Sequence, residues 1–422
     1  MVRHDTLLQN NTRSARVILP RVTTADPPTF TRIFGWAAFL ACSWTWCIGM
    51  FLPVFLLRDF GPASFWVFAV PNVVGAALMG VLLARPGASE ALVARHGWAC
   101  WAFSLVTAAF QWFFFFWMVL GLPDNAGRWV IIPAAGVILL CGQAVRGRRT
   151  FWTRAFALAV FAASAFLAAA WYASDPPSSV VAQHLPEAEL VWLAPVVLFG
   201  FALCPYLDLT FHQARQHLPG RAGNAAFVIG FGVLFFAMIL LTRDYAPPLL
   251  GIATARAEHV HPGLLAIVAL PLLAHVAVQL IYTVMVHKSW LDARPSPAGP
   301  RAPANAAFLA LLIGLGLALL AWHVPPYRGA SGPLSAPELV YRGFMAFYGL
   351  AFPAYVWLCV LNRGPLTRRT LQVYAFAVLA ASPMYWMGFI ERQTWWLAPG
   401  LGVVLLARLF IPNAAASTSV NR

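Results

Sequence analysis

The sequence predicts an all-α integral membrane protein of about twelve transmembrane helices, and three observations carry that reading. Of 422 residues, 61% are hydrophobic. Only 10% are charged, against about 25% in a soluble domain, and the mean hydropathy is +0.72. Apolar stretches of roughly 20 residues, the length a helix needs to cross a bilayer, recur along nearly the whole chain. The short alternating strands of a β-barrel are absent. These features exclude a soluble globular domain, a disordered chain and a nucleic-acid binder. The net charge of +14 has a different cause, because basic residues collect in the cytoplasmic loops of membrane proteins.

Taken in order, residues 1–30 are polar and carry Arg3, Arg13, Arg16 and Arg21 without an apolar core or cleavage site. They read as a cytoplasmic tail, not a signal peptide. The transmembrane domain, 31–410, holds spans at 33–57, 63–84, 98–120, 129–145, 154–173, 189–210, 224–242, 263–286, 305–323, 337–361, 371–388 and 394–410. Pro, Gly and charged residues separate them, as in loops, and 411–422 form a second cytoplasmic tail. After span seven, Pro247 and Pro248 followed by 249–256 read as a short surface helix. No loop is long enough for a soluble domain. All six cysteines fall inside apolar segments with no CxxC pair, so free thiols are expected. Glu258, His259 and His261 in an outer loop have no specific ligand spacing, and no metal or cofactor is assigned.

Placing the N-terminus inside puts 21 of the 28 basic residues in inner segments and six in outer ones, with Arg342 near the outer end of span ten. The acids run the other way, nine outside and four inside, which leaves Asp208 within a span. This asymmetry predicts a multi-pass protein of the inner (plasma) membrane with both termini cytoplasmic. A cysteine placed at position 180 is expected to react with an impermeant reagent from outside, and one at 148 or 366 to be protected. The reverse pattern would overturn the map.

Transporter folds repeat themselves in inverted orientation, with broken helices at the substrate site. Two spans here are interrupted in corresponding ways. Span one contains Ser43, Trp44, Thr45, Trp46, Cys47, Gly49 and Pro53; span six contains Gly200, Cys204, Pro205, Tyr206, Asp208 and Thr210. They lie five spans apart, an odd offset that inverts orientation. The segments leading into spans two and seven also match loosely: Gly61-Pro62-Ala63-Ser64-Phe65 and Gly223-Asn224-Ala225-Ala226-Phe227.

This layout resembles the APC superfamily of secondary transporters, with the LeuT-like fold. Its 5+5+2 plan would divide the chain into repeat one, 33–173, an inverted repeat two, 189–361, and two extra helices in 371–410. The stretch 200–210, followed by His212-Gln213-Ala214-Arg215, is similar to the sixth helix of sodium:solute symporter and nucleobase-transporter relatives. The resemblance implies that a solute is held at the broken helices and against helix three. The expected substrate contacts are Trp44, Trp46, Cys47, Gly49, Gln111, Gly200, Cys204 and Tyr206. The chain departs from sodium-coupled members in span eight, where Thr283 is the only hydroxyl besides Tyr282. That puts the usual sodium site in doubt and favours proton coupling or uniport.

An ionisable group at the bilayer centre costs about 2.5–3.5 kcal/mol, so each one is a functional candidate. Asp208 follows Pro205, which opens a helix by removing an N–H and clashing with the preceding turn. It reads either as a group that carries a proton or pairs with a cationic substrate, or as the interfacial end of a span that stops early. His275 shares a helix face with Gln279 and is the second coupling candidate, or a hydrogen-bonded packing residue. The aromatic run 112–117 after Gln111 is expected mostly to face lipid. Arg58 and Asp59 read as a pair at the outer surface.

The expected function is secondary active transport of a small organic solute by alternating access, with no catalytic residues. The expected partners are the solute, the lipid bilayer and a coupling proton, without nucleic acid. No Walker A motif supports ATP-driven transport by this chain. A major-facilitator plan would need a Gly-x-x-x-Asp-Arg-like loop after span two, and the loop beginning Arg85-Pro86-Gly87 lacks it. The readings from other classes are a membrane-embedded transferase, which the scattered acids disfavour, and a non-transporting sensor or scaffold on a transporter fold.

Overall fold

The computed structural model describes residues 29–120, 150–173, 185–253, 262–293, 303–362 and 366–411. The expected span 129–145, nearly all of both tails, Cys141, and the Glu258, His259 and His261 group lie outside the described residues.

The described chain is almost wholly helical. Helices α1 (Phe30–Trp44) and α2 (Cys47–Phe60) are followed by α3 (Ala63–Leu82), α4 (Ala88–Leu120) and α5 (Thr150–Ala173). Next come α6 (Leu190–Leu203), a 3-10 turn (Cys204–Leu207) and α7 (Leu209–His217). Helix α8 (Gly220–Ile229) runs through a π-turn (Gly230–Phe235) into α9 (Phe236–Asp244), then α10 (Ala246–Ala253), α11 (Pro262–Ala293) and α12 (Pro303–His323). A hairpin of two three-residue strands, β1 (Tyr327–Gly329) and β2 (Gly332–Leu334), precedes α13 (Ala336–Tyr355). Helices α14 (Arg368–Phe389) and α15 (Leu397–Leu406) complete the order.

Among the described residues, seven helices are long and apolar enough to cross a membrane. The bent pair α1–α2 makes an eighth when taken as one span. An all-α membrane-embedded protein is therefore the fold class, with the hairpin as a small departure from pure helix. Local chemistry sets several boundaries. Thr29, Ser335 and Thr367 cap α1, α13 and α14 by accepting from the N–H three residues on. Helix α10 starts with Pro247 and Pro248 in its first turn, where a missing N–H costs nothing. It is the short helix expected after span seven, with Ala246 and Leu249 buried against the bundle and Pro247, Pro248 and Leu250 half-buried.

Hydrogen bonds tie each end of the bundle together. At one end, Arg32 donates to the His217 carbonyl at 2.9 Å, Ser89 meets His212 at 2.8 Å, and Trp290 donates to Gln213 at 3.2 Å. At the other, the Leu185 N–H donates to the Asp59 carbonyl at 2.7 Å, and Thr394 bonds Glu189. Glu391 fastens the hairpin at this second end, accepting from the Tyr327 hydroxyl and from the Ala330 N–H at 2.7 Å. These bonds hold its carboxyl below the usual glutamate range.

Helix α4 runs through the middle of the molecule and packs on α2, α11, α12 and α13. The aromatic run 112–117 is consequently buried, from 0% exposed at Trp112 to 4% at Trp117. The expectation that these rings face lipid is corrected: a central helix finds apolar protein on every side. Helix α12 comes close to α4 at Gly314, where a Cβ would lie 2.6 Å from the Ala109 carbonyl oxygen. Arg58 and Asp59, expected as a surface pair, are also buried, at 8% and 2% exposure. They meet Glu338 and Arg342 from α13, two residues that local sequence could not place beside them.

Candidate functional site

The first span breaks at Thr45 and Trp46, where α1 and α2 meet at 55°. Thr45 ends α1, with its N–H and its hydroxyl both directed to the Ala41 carbonyl at 3.0 and 2.9 Å. Trp46 is extended, with φ −115° and ψ −165°. A break inside a membrane frees backbone groups that must find partners. Two other helices supply them. Gln111 Oε1 on α4 accepts from the Cys47 N–H at 2.7 Å, and the Tyr341 hydroxyl on α13 donates to the Cys47 carbonyl at 2.9 Å.

The second break follows α6 at the end of the candidate span Glu187–Leu207, with Asp208 just beyond it. Pro205 has no N–H for the Phe201 carbonyl, the chain tightens into the 3-10 turn, and Asp208 is extended with φ −78° and ψ 112°. Asp208 then caps α7: its Oδ1 accepts from the Thr210 N–H at 2.8 Å and from the Thr210 hydroxyl at 2.7 Å. The two breaks adjoin. Thr210 Oγ1 lies 3.1 Å from Ser43 Oγ, and the Trp44 and Phe211 rings are 5.0 Å apart.

Unpaired polar atoms gather at this junction. Asp208 is 1% exposed, and its Oδ2 has no protein partner. Ser104, Thr107 and Gln111 stand at i, i+3 and i+7 on one face of α4. Their Oγ, Oγ1 and Nε2 are likewise buried without partners, as is the Tyr348 hydroxyl on α13. Buried polar atoms in folded proteins are normally satisfied, so such a concentration marks a place where something else completes them. Aromatic rings form the walls. Trp46 meets Tyr348 edge-on at 5.4 Å, Phe103 lies 5.4 Å from Tyr348, and Trp44 stacks over Phe103 at 6.4 Å.

Of the residues expected from sequence, Trp44, Trp46, Cys47, Gln111, Cys204 and Asp208 are buried in the two breaks and the helix face beside them. Gly200 is buried one turn earlier in α6, and an added Cβ there would meet no atom within 4 Å. Tyr206 is 8% exposed, and its carbonyl accepts from His212 Nε2 at 2.9 Å. A Cβ at Gly49 would lie 3.4 Å from the Phe235 ring and 3.5 Å from the Trp44 carbonyl oxygen, between the π-turn before α9 and the first break. His275 stands apart on α11, its Nδ1 3.4 Å from Ser164 Oγ on α5. Gln279, one turn on, is fully buried with neither amide atom paired.

Sequence reasoning missed Asn72, which accepts from Trp44 Nε1 at 2.5 Å, and also Tyr341, Tyr348 and Phe103. Single polar or aromatic residues in apolar spans carry no local sign of what they face. Also missed was the ring of four charges at the hairpin end. Glu338 accepts from Arg58 Nη1 at 3.0 Å and from Arg342 Nε at 2.8 Å, while Asp59 accepts from Arg58 Nε at 3.0 Å and from Arg342. A small cavity of about 30 Å³ lies beside it, bordered by Asp59, Tyr341, Arg342 and Arg392. That is room for a water or two. Among the described residues, no group of three or more His, Cys, Asp or Glu is placed to hold a metal ion. Comparison of the chain with models of protein families, with curated proteins and with solved structures finds no match.

Proposed function

We propose that this chain is a secondary active transporter that moves a small organic solute across the membrane by alternating access. The observation that carries the reading is the junction of two broken helices, joined at Ser43 and Thr210 and surrounded by buried polar atoms without partners. Broken helices at the bilayer midplane expose backbone and side-chain groups to a solute while the rest of each span stays satisfied. The twelve-span, 5+5+2 plan with inverted repeats belongs to this proposal, as do the inner-membrane location and the cytoplasmic termini. So does the assignment of Asp208, with His275 second, to coupling by protons.

The charge ring joins α2 to α13 at the hairpin end, on the same two helices that Tyr341 links at the first break. In this reading it closes the outer side. Opening requires α2 and α13 to part, which separates the ring and loosens the hold on Cys47 together.

A thermal-shift screen of the purified protein against a metabolite panel, followed by uptake of the stabilising compounds into proteoliposomes, tests the reading. Saturable uptake, faster under a pH gradient and absent from protein-free vesicles, is the expected result. Stabilisation without flux would leave a sensor or scaffold, and group transfer between added lipids would leave an enzyme; either would overturn the proposal.

A further inference from the structure

We infer that the solute is a small organic monocation, and that this cation and a proton take turns on the Asp208 carboxylate, so that the chain exchanges one for the other. The inference rests on the transporter reading and deepens it. Its first support is the missing counter-charge. Asp208 is 1% exposed and uses only Oδ1, for capping, while Oδ2 has no partner. Among the described residues no basic side chain forms an ion pair with it.

No titratable side chain on the elements packed around it is paired with it, including His287 and Lys288 on α11, which packs on α7. The field of Asp208 reaches the Cys100 thiol on α4 and the Tyr348 phenol on α13. The turn itself contributes Cys204 and Tyr206, a π-turn that continues α13 over Val356–Val360 contributes Cys359, and α3 and α6 carry no titratable residue. On α7, both His212 nitrogens have other partners: Nδ1 lies 2.8 Å from Ser89 Oγ, which also accepts from Gln216 at 3.0 Å, and Nε2 faces the Tyr206 carbonyl at 2.9 Å. Arg215 is committed elsewhere, to the carbonyls of Gly80 and Gly220 and to Asn224.

The second support is the wall. A carboxylate calls for a positive partner, and Trp46, Trp44, Phe103 and Tyr348 offer ring faces and edges close by. Aromatic faces attract ammonium groups, more strongly when water is excluded. A carboxylate plus rings, with no fixed cation, selects a positive solute over a neutral or anionic one.

Exchange follows from burial. A lone carboxylate shut away from water is penalised heavily. The closed site therefore holds Asp208 either as the acid or paired with the cation, and only these neutral forms cross between the two sides. When the cation enters, the carboxylic proton leaves to water on that side. On the other side the cation leaves and a proton returns. One positive charge moves each way, so the cycle transfers no net charge.

The test uses the full-length protein in proteoliposomes with an acidic lumen and an entrapped pH dye. The probes are choline, tetramethylammonium and tetraethylammonium, with 3,3-dimethyl-1-butanol as the neutral isostere of choline. At least one cation should discharge the lumenal acid, at a rate unchanged when the membrane potential is clamped, and the isostere should not. Asp208→Asn retains an oxygen to cap α7, so it should fold, as a wild-type melting profile will verify, and should lose at least tenfold of the cation flux with its proton movement. Trp46→Leu should weaken cation binding by about 2- to 30-fold. Cation flux that survives Asp208→Asn, an isostere carried as well as choline, or no response to any cation would each overturn the inference. If neutral or anionic solutes from the metabolite panel still show saturable flux, the transporter reading stands without it; if no solute moves at all, both fall.

Discussion

Replacing Glu338 by alanine is expected to destabilise the folded protein by about 3–5 kcal/mol, the cost of leaving a buried charge without its partner. Glu338 is 4% exposed and receives both Arg58 and Arg342, which are themselves 8% exposed. Without it, two guanidinium groups share the single carboxylate of Asp59. Removing a whole pair should cost less. Asp59→Ala with Arg342→Ala leaves the two-point contact between Arg58 and Glu338 in place, with no net charge stranded. The double variant should therefore melt above Glu338→Ala in detergent, although it changes twice as many residues. A loss within about 0.5 kcal/mol for Glu338→Ala, the range of ordinary surface substitutions, would show that the ring is solvated. The same variant should admit an impermeant thiol reagent to a cysteine introduced near Tyr341, because one of the two ion pairs that close α2 against α13 is gone and only Asp59 with Arg342 remains.

The second large effect is expected from one added methyl. In Gly75→Ala the new Cβ would lie 2.2 Å from the Phe201 carbonyl oxygen and 2.7 Å from its carbon. The obstacle is backbone, so no rotamer change relieves it, and α3 must move away from α6. Overpacking of this kind costs about 1–3 kcal/mol and sometimes more. The Phe201 carbonyl is also the one that Pro205 leaves without an intrahelical donor, so the displacement reaches the second break directly. We expect Gly75→Ala to lower both the melting temperature and solute flux. Gly316→Ala is the control: it sits on the exposed side of α12, where an added Cβ meets nothing within 4 Å, and gains about 0.5–1 kcal/mol of helix preference. Equal behaviour of the two variants would refute the close packing of α3 on α6.

The bend in span one and the end of span six were legible because their causes are local. Pro205 removes a donor and crowds the preceding turn wherever it occurs in a helix, and Asp208 then has the right side chain to restart one. In span one, the polar and small residues from Ser43 to Gly49 stood out against apolar neighbours. What holds each break was not legible. Gln111 lies 64 residues from Cys47, and Tyr341 lies 294 residues away. Which face of a helix meets which neighbour depends on register between distant segments, and a single sequence does not encode that visibly.

The charged residues repeat the lesson. Arg58 and Asp59, read alone, are an adjacent pair at a span end, where water is the default partner. Their burial depends on Glu338 arriving 280 residues later from α13. The aromatic run failed for a different reason: a lipid tail and a protein interior are equally apolar, so a ring is content in either.

The sequence by itself determined that this chain enters a membrane as helices, and where the first span bends and the sixth stops. Hydropathy decides the first through the cost of unpaired backbone in lipid, and proline and capping chemistry decide the second. Only the tertiary structure decided which groups meet at the breaks, that the charges form a closed ring, and that Asp208 stands without a counter-charge. Insertion depends on the sum of apolar residues along each segment. Packing depends on which small and polar groups come face to face, and that is settled only when the helices assemble.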